Sequence, residues 1–178
     1  YEVQLRSDAY PGGIGARTAL DAFAVEHHIL RKDGVLFHCS YIARDGKAVL
    51  FTAPSQTGKS TQAELWKLHR DATVVNGDRA ALRIVDGVVL AEGVPFCGSS
   101  DYCENRSLPV EAIVYLGQAS VTSIRRLRGF EAFSRIWEGI TVNTWDRKDM
   151  ELASDIVSRI AGTVPVYHMP CTPDESAV

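Results

Sequence analysis

The chain has 178 residues, enough for one domain and too few for two with substantial cores. Hydrophobic residues make up 46% and charged residues 23%, a globular mixture that excludes disordered and collagen-like classes. A net charge of −3 leaves no basic surplus for a nucleic-acid duplex, yet it permits a local cationic pocket for one triphosphate.

In chain order, Pro-Gly-Gly at 11–13 reads as a loop. Apolar residues at helical spacing predict an amphipathic helix over 16–30, ended by Gly34. Residues 35–42 read as a strand, Asp45-Gly46 as a hairpin turn, and 48–53 as a fully apolar strand. After the loop 54–57 a helix is expected over 58–68, with Ala63, Leu65, Trp66 and Leu68 as its apolar positions. Val74-Val75 is a short buried strand, and Asp86-Gly87 joins a second hairpin of 82–85 and 88–91. The stretch 93–109, rich in Gly, Ser and Pro, reads as a long functional loop. Strands are expected over 113–116, 123–127 and 164–169, helices over 129–137 and 148–161, and a polar tail over 173–178. The sum is a single α/β domain over 1–178, with hairpins placing antiparallel pairs beside the strand that enters the 54–57 loop.

Apolar runs fall well short of the ~20 residues a bilayer span needs, so no membrane association is expected. No secretory signal is visible, although the chain starts at Tyr1 and not at Met. The four cysteines, Cys39, Cys97, Cys103 and Cys171, therefore read as reduced thiols of a cytoplasmic protein, and the spacing of Cys97 and Cys103 is not that of a zinc knuckle.

The run Ala53-Pro54-Ser55-Gln56-Thr57-Gly58-Lys59-Ser60-Thr61 matches the phosphate-loop pattern G-x-x-x-x-G-K-[ST], with Ala53 at its first glycine. A strand enters it and a helix leaves it, the context such a loop requires. Backbone N–H groups of Ser55, Gln56, Thr57 and Gly58 and the helix start at Lys59, Ser60 and Thr61 would cradle phosphates. Lys59 would reach the β and γ phosphates, and Ser60 Oγ would ligate Mg²⁺. The expected ligand is ATP with Mg²⁺. Asp78, 19 residues after Lys59 and just past a buried strand, is the expected metal carboxylate, though a turn beside Gly77 would also use an aspartate. His38, expected mid-strand one strand earlier, is the remaining candidate beside the phosphates. Arg79 and Arg106 could add a cation, but read more readily as surface arginines.

These residues, with Asn76-x-Asp78, Gly93-x-Pro95-x-Cys97-Gly98, Val164-Pro165-Val166-Tyr167 and Cys171-x-Pro173-Asp174-Glu175, resemble the HPr kinase/phosphorylase-like proteins of the phosphoenolpyruvate carboxykinase-like P-loop superfamily. The resemblance runs from about residue 23 to 178. It implies a mixed β-sheet P-loop domain with hairpins and flanking helices, and a serine kinase moving the γ-phosphoryl of ATP to a hydroxyl of a peptide or small protein. It implies catalytic roles for His38, Lys59 and Asp78, metal ligation by Ser60 and Asp78, and a homo-oligomer as an arrangement family members often adopt. The departure is Gly77, where HPr kinases carry the aspartate that activates the hydroxyl. A non-catalytic nucleotide sensor and a small-metabolite kinase are the alternative readings.

Overall fold

Alternating apolar residues and tight turns organise much of this chain's regular structure into strands, and the computed structural model describes residues 22–178, together with Gln4, Asp8 and Gly13. Of the expected 16–30 helix, α1 spans Val25–Leu30; residues 16–21 and most of the 11–13 loop lie outside the described residues. The strands are β1 (Gly34–His38), β2 (Ser40–Arg44), β3 (Lys47–Thr52), β4 (Thr73–Asn76), β5 (Arg79–Val85), β6 (Val88–Gly93), β7 (Ser107–Gln118), β8 (Arg125–Leu127), β9 (Ile140–Thr141) and β10 (Val166–Cys171). Three further helices are α2 (Lys59–Arg70), α3 (Gly129–Trp137) and α4 (Arg147–Thr163).

The described residues form one ten-stranded mixed sheet in the order β4-β2-β3-β7-β6-β5-β1-β9, with β10 against β7 and β8 against β10. Both expected hairpins are present: β2 and β3 pair antiparallel around Asp45-Gly46, and β5 and β6 around Asp86-Gly87. Asp45, Gly46, Asp86 and Gly87 all have positive φ, the conformation that such turns demand. The middle of the sheet is parallel, because β7 runs alongside both β3 and β10. This is a mixed α/β fold with hairpins and flanking helices, as the sequence leads one to expect.

Period-two alternation splits the core across the two faces of the sheet. Tyr41, Leu50, Val75, Ile113 and Val166 pack toward Ala132 and Ile136 of α3 and Ala153 and Ile156 of α4. Their neighbours Ile42, Phe51, Val74, Val114 and Met169 pack toward Ala63 and Trp66 of α2. Leu68, expected on the apolar face of α2, is 75% exposed; buried Gln62 takes a place on that face and donates to Ala177 O at 2.5 Å. The C-terminal turn Glu175–Ala177 is thereby held on α2.

The expected 35–42 strand is interrupted. Cys39 leaves the ladder, and its N–H donates to Asp78 O at 3.0 Å. On one side of this break β1 pairs with β5; on the other β2 pairs with β4. The chain repeats the manoeuvre between β4 and β5, at Gly77-Asp78. Two strand pairs thus change neighbours side by side, and a seam crosses the sheet there. His38 is consequently the last residue of β1 and not a mid-strand residue. The 93–109 loop is also shorter than expected, since 107–109 join β7.

Candidate functional site

The loop between β3 and α2 carries left-handed backbone at Gln56 (φ 65°) and Gly58 (φ 112°). Space around Gly58 is open, so glycine is required there by its φ and not by crowding. No side chain caps α2, and its first N–H groups are left facing the loop. Ala53, the departure from the phosphate-loop pattern, is 6% exposed and packs in the α2-side core with Phe51 and Met169. Its methyl is thus accommodated by the core. Lys59, 8% exposed, donates from Nζ to Ala53 O at 3.3 Å. Burial lowers its pKa, partly offset by the nearby Asp78.

The seam supplies the opposite wall. His38 is fixed through its backbone: its N–H donates to Gly139 O at 2.7 Å, and its C=O accepts from Thr52 Oγ1 at 2.9 Å. Asp78 follows from Asn76, which is fully buried. Asn76 Oδ1 accepts from the N–H of both Asp78 and Arg79 at 2.9 Å, and its Nδ2 donates to Val94 O and Phe96 O at 3.0 and 3.1 Å. One side chain therefore shapes the Asp78 turn and holds the 93–106 loop against it. Asp78 Oδ1 lies 3.4 Å from His38 Nε2, and Oδ2 lies 3.3 Å from Arg79 Nε. Burial and the Lys59 charge hold the His38 pKa below its ordinary value, against the opposing pull of Asp78; the net effect favours the neutral imidazole.

A cleft of about 570 Å³ lies between these walls, lined by His38, Ser55, Gln56, Lys59, Ser60 and Asp78 and, across from the helix, by the loop residues Cys97 to Tyr102 apart from Gly98. A second cleft of about 440 Å³ lies on the other flank of the loop, where Thr57, Gly58 and Thr61 face Gln118, Cys171 and Thr172. The expected loop residues are thus divided between two clefts. The structure brings His38, Lys59, Ser60 and Asp78 to the first one. Arg79 pairs with Asp78, whereas Arg106 lies by Glu104 at 3.9 Å.

The roles of four further residues are not apparent from local sequence, although Gly98 belongs to a motif quoted above. Ser100 lies against Gly77, where an added Cβ would stand 2.5 Å from Ser100 Cβ. Gly98 (φ 60°) packs on the Asp78 carboxyl, with an added Cβ 2.9 Å from its Cγ. Gln118 and Thr172 reach the second cleft from the carboxyl ends of β7 and β10. The signal for the first two was the Gly-Ser-rich composition of the loop; pairing them with Gly77 and Asp78 required the fold.

Ser60 and Asp78 line the same cleft and carry hard oxygen donors of the kind that suits Mg²⁺. The ligand atoms of His27, Asp146 and Asp149 also cluster within 4.8 Å. There, however, buried Asp149 already meets His27 Nδ1 at 2.8 Å, Asn143 Nδ2 at 3.2 Å and Arg31 at 3.3 Å, while Asp146 caps α4. That cluster ties α1 to α4.

The fold is a mixed α/β domain in which the loop with the phosphate-loop sequence pattern joins β3 to α2. The family model described as "SynChlorMet cassette protein ScmC" matches residues 18–172, and the chain belongs to that family. Among solved structures, the Hpr(Ser) kinase/phosphatase from Coxiella burnetii is similar at 12% identity and TM-score 0.45, over 78% of this chain and 80% of that one. A likeness that distant transfers no activity. No curated protein matches the sequence.

Proposed function

We propose that this protein binds ATP with Mg²⁺ at the 53–61 loop and transfers the γ-phosphoryl to a hydroxyl of a peptide or small protein. The observation that carries the reading is the convergence of Lys59 and Ser60 from the loop, and His38 and Asp78 from the sheet seam, on one cleft. Loop and α2 N–H groups and Lys59 hold the phosphates, while Ser60 and Asp78 hold the metal. Bound Mg²⁺ neutralises charge that develops on the transferred group. The nucleoside lies in the second cleft, beside Gln118 and Thr172, at the carboxyl ends of the parallel strands β3, β7 and β10. The acceptor hydroxyl enters the first cleft between the loop and residues 99–102. Neutral His38, 3.4 Å from Asp78, and Asp78 itself are the groups placed to accept its proton.

A second reading, nucleotide sensing without transfer, is favoured by Gly77: the position is side-chain-free, and Ser100 fills the adjoining space. Single-turnover transfer from γ-labelled ATP separates the two. The acceptors to try first are the other products of the cassette that the family description names. Transfer that falls about a hundredfold or more in Asp78→Asn supports the kinase. Tight Mg²⁺-dependent binding with no labelled product supports the sensor, and no binding at all rejects both.

A further inference from the structure

Residues 98–102 form the tip of the wall facing Lys59, and two cysteines stand at its base. Ascending, Asn76 grips Val94 O and Phe96 O, and Cys97 follows; descending, Cys103 pairs antiparallel with Asn76, and Glu104 N–H donates to Val75 O at 2.9 Å. Ser100 N–H donates to Cys97 O at 2.9 Å, closing the turn. The Cys103 thiol donates to Val94 O at 3.3 Å, and Asn76, which bridges to Cys103, also holds the Phe96 carbonyl next to Cys97, so both cysteines sit at one point of the loop base. Both are free thiols; Cys103 is exposed and Cys97 lines the cleft. The other two thiols are placed differently. Cys39 is fully buried, with its pKa raised far above the ordinary range, and Cys171 lies beside Gly117 on β10 and the second cleft.

We propose that Cys97 and Cys103 are a reversible dithiol–disulfide site that alters the nucleotide cleft. The oxidant is a low-molecular-weight disulfide. One cysteine loses its proton to water and attacks a sulfur of that disulfide, whose S–S bond breaks and releases one small thiol. The second cysteine, deprotonated in turn, attacks the mixed disulfide, forms the Cys97–Cys103 bond and releases the other small thiol. The two cysteines lose two electrons and two protons, and the small disulfide is reduced to two thiols.

Two free thiols stand farther apart than the roughly 2.05 Å of a disulfide, so the base of the tip must close as the bond forms. Gly98, adjacent to Cys97, rests on the Asp78 carboxyl with no room for even a methyl group. Closure is therefore transmitted to Asp78 and weakens metal-dependent binding.

The test is to incubate the full chain with oxidised glutathione and then map peptides under non-reducing conditions. The expected product is a Cys97–Cys103 crosslink with a mass loss of about 2 Da, reversed by dithiothreitol. Backbone hydrogen exchange over 98–102 slows, and Mg·ATP binds at least roughly fivefold more weakly. Cys103→Ser, or Cys103→Ala should the serine variant misfold, abolishes all three effects. A persistent mixed disulfide on one cysteine, or a crosslink involving Cys171, overturns the proposal. So does a Cys97–Cys103 bond that leaves ATP affinity unchanged. The affinity readout rests on the nucleotide reading above; if neither form binds ATP, that reading fails, while mass and exchange still decide the thiol site.

Discussion

At the residue scale, the electrostatics of the cleft depend on two partly buried bases. Lys59 meets only its own loop carbonyl at hydrogen-bonding distance among the described residues, which leaves most of its donor capacity for an anion. Lys59→Ala should weaken ATP binding by about 2–3 kcal/mol, the scale of a charge-assisted phosphate contact, as read by calorimetry. His38 has a depressed pKa in the folded chain. The unfolded chain therefore takes up its proton first as pH falls below about 6.5, and the stability contribution tied to neutral His38 is present above that pH and lost below it. His38→Gln should flatten the acid side of the stability–pH curve relative to the parent, measured by urea unfolding at stepped pH. An NMR titration should place the His38 midpoint below that of a free histidine.

At the element scale, the loop after β6 and the turn after β4 are fitted to each other. Gly77 reads in sequence as a missing carboxylate, but in the fold it is the space into which Ser100 packs. Gly77→Asp alone should therefore lower stability by about 1–3 kcal/mol through overpacking, and Ser100→Gly should restore much of it. Chemical denaturation of the single and double variants checks this by the sign of their coupling. The same fitting explains why the pairing of Ser100 with Gly77 is not legible in sequence. Contact between residues 77 and 100 depends on two turns meeting at the seam, and no spacing rule spans such a distance. β9 escaped notice for a related reason, since two residues have no periodicity and Ile140–Thr141 is a strand only because β1 pairs with it.

At the scale of the whole molecule, the seam joins the two parts of the sheet and builds the site in the same place. Asn76 is its central tie, with four hydrogen bonds from one buried amide to two backbone segments. Asn76→Ala should cost about 2–4 kcal/mol, because four part-buried carbonyl and N–H groups lose their partner together. It should also speed hydrogen exchange across 93–106 more than in α4.

The phosphate loop, both hairpins and most helices were legible because each is specified by contiguous residues: glycines with positive φ, apolar strands and helical spacing. Ala53 stood out in the motif, and only its burial among Phe51 and Met169 explained it. The split of 35–42 at Cys39 was not legible, since all its residues suit a strand and the break arises from the partner segments at Asp78. The sequence by itself determined a phosphate-type loop between a strand and a helix in a mixed α/β domain. Tertiary structure alone decided that His38 and Asp78 face that loop across a cleft, that Ser100 occupies the space beside Gly77, and that Cys97 and Cys103 share the base of one loop. Those are contacts between segments distant in the chain or brought together by its turns, and their geometry is set by how the strands exchange neighbours, which no local pattern encodes.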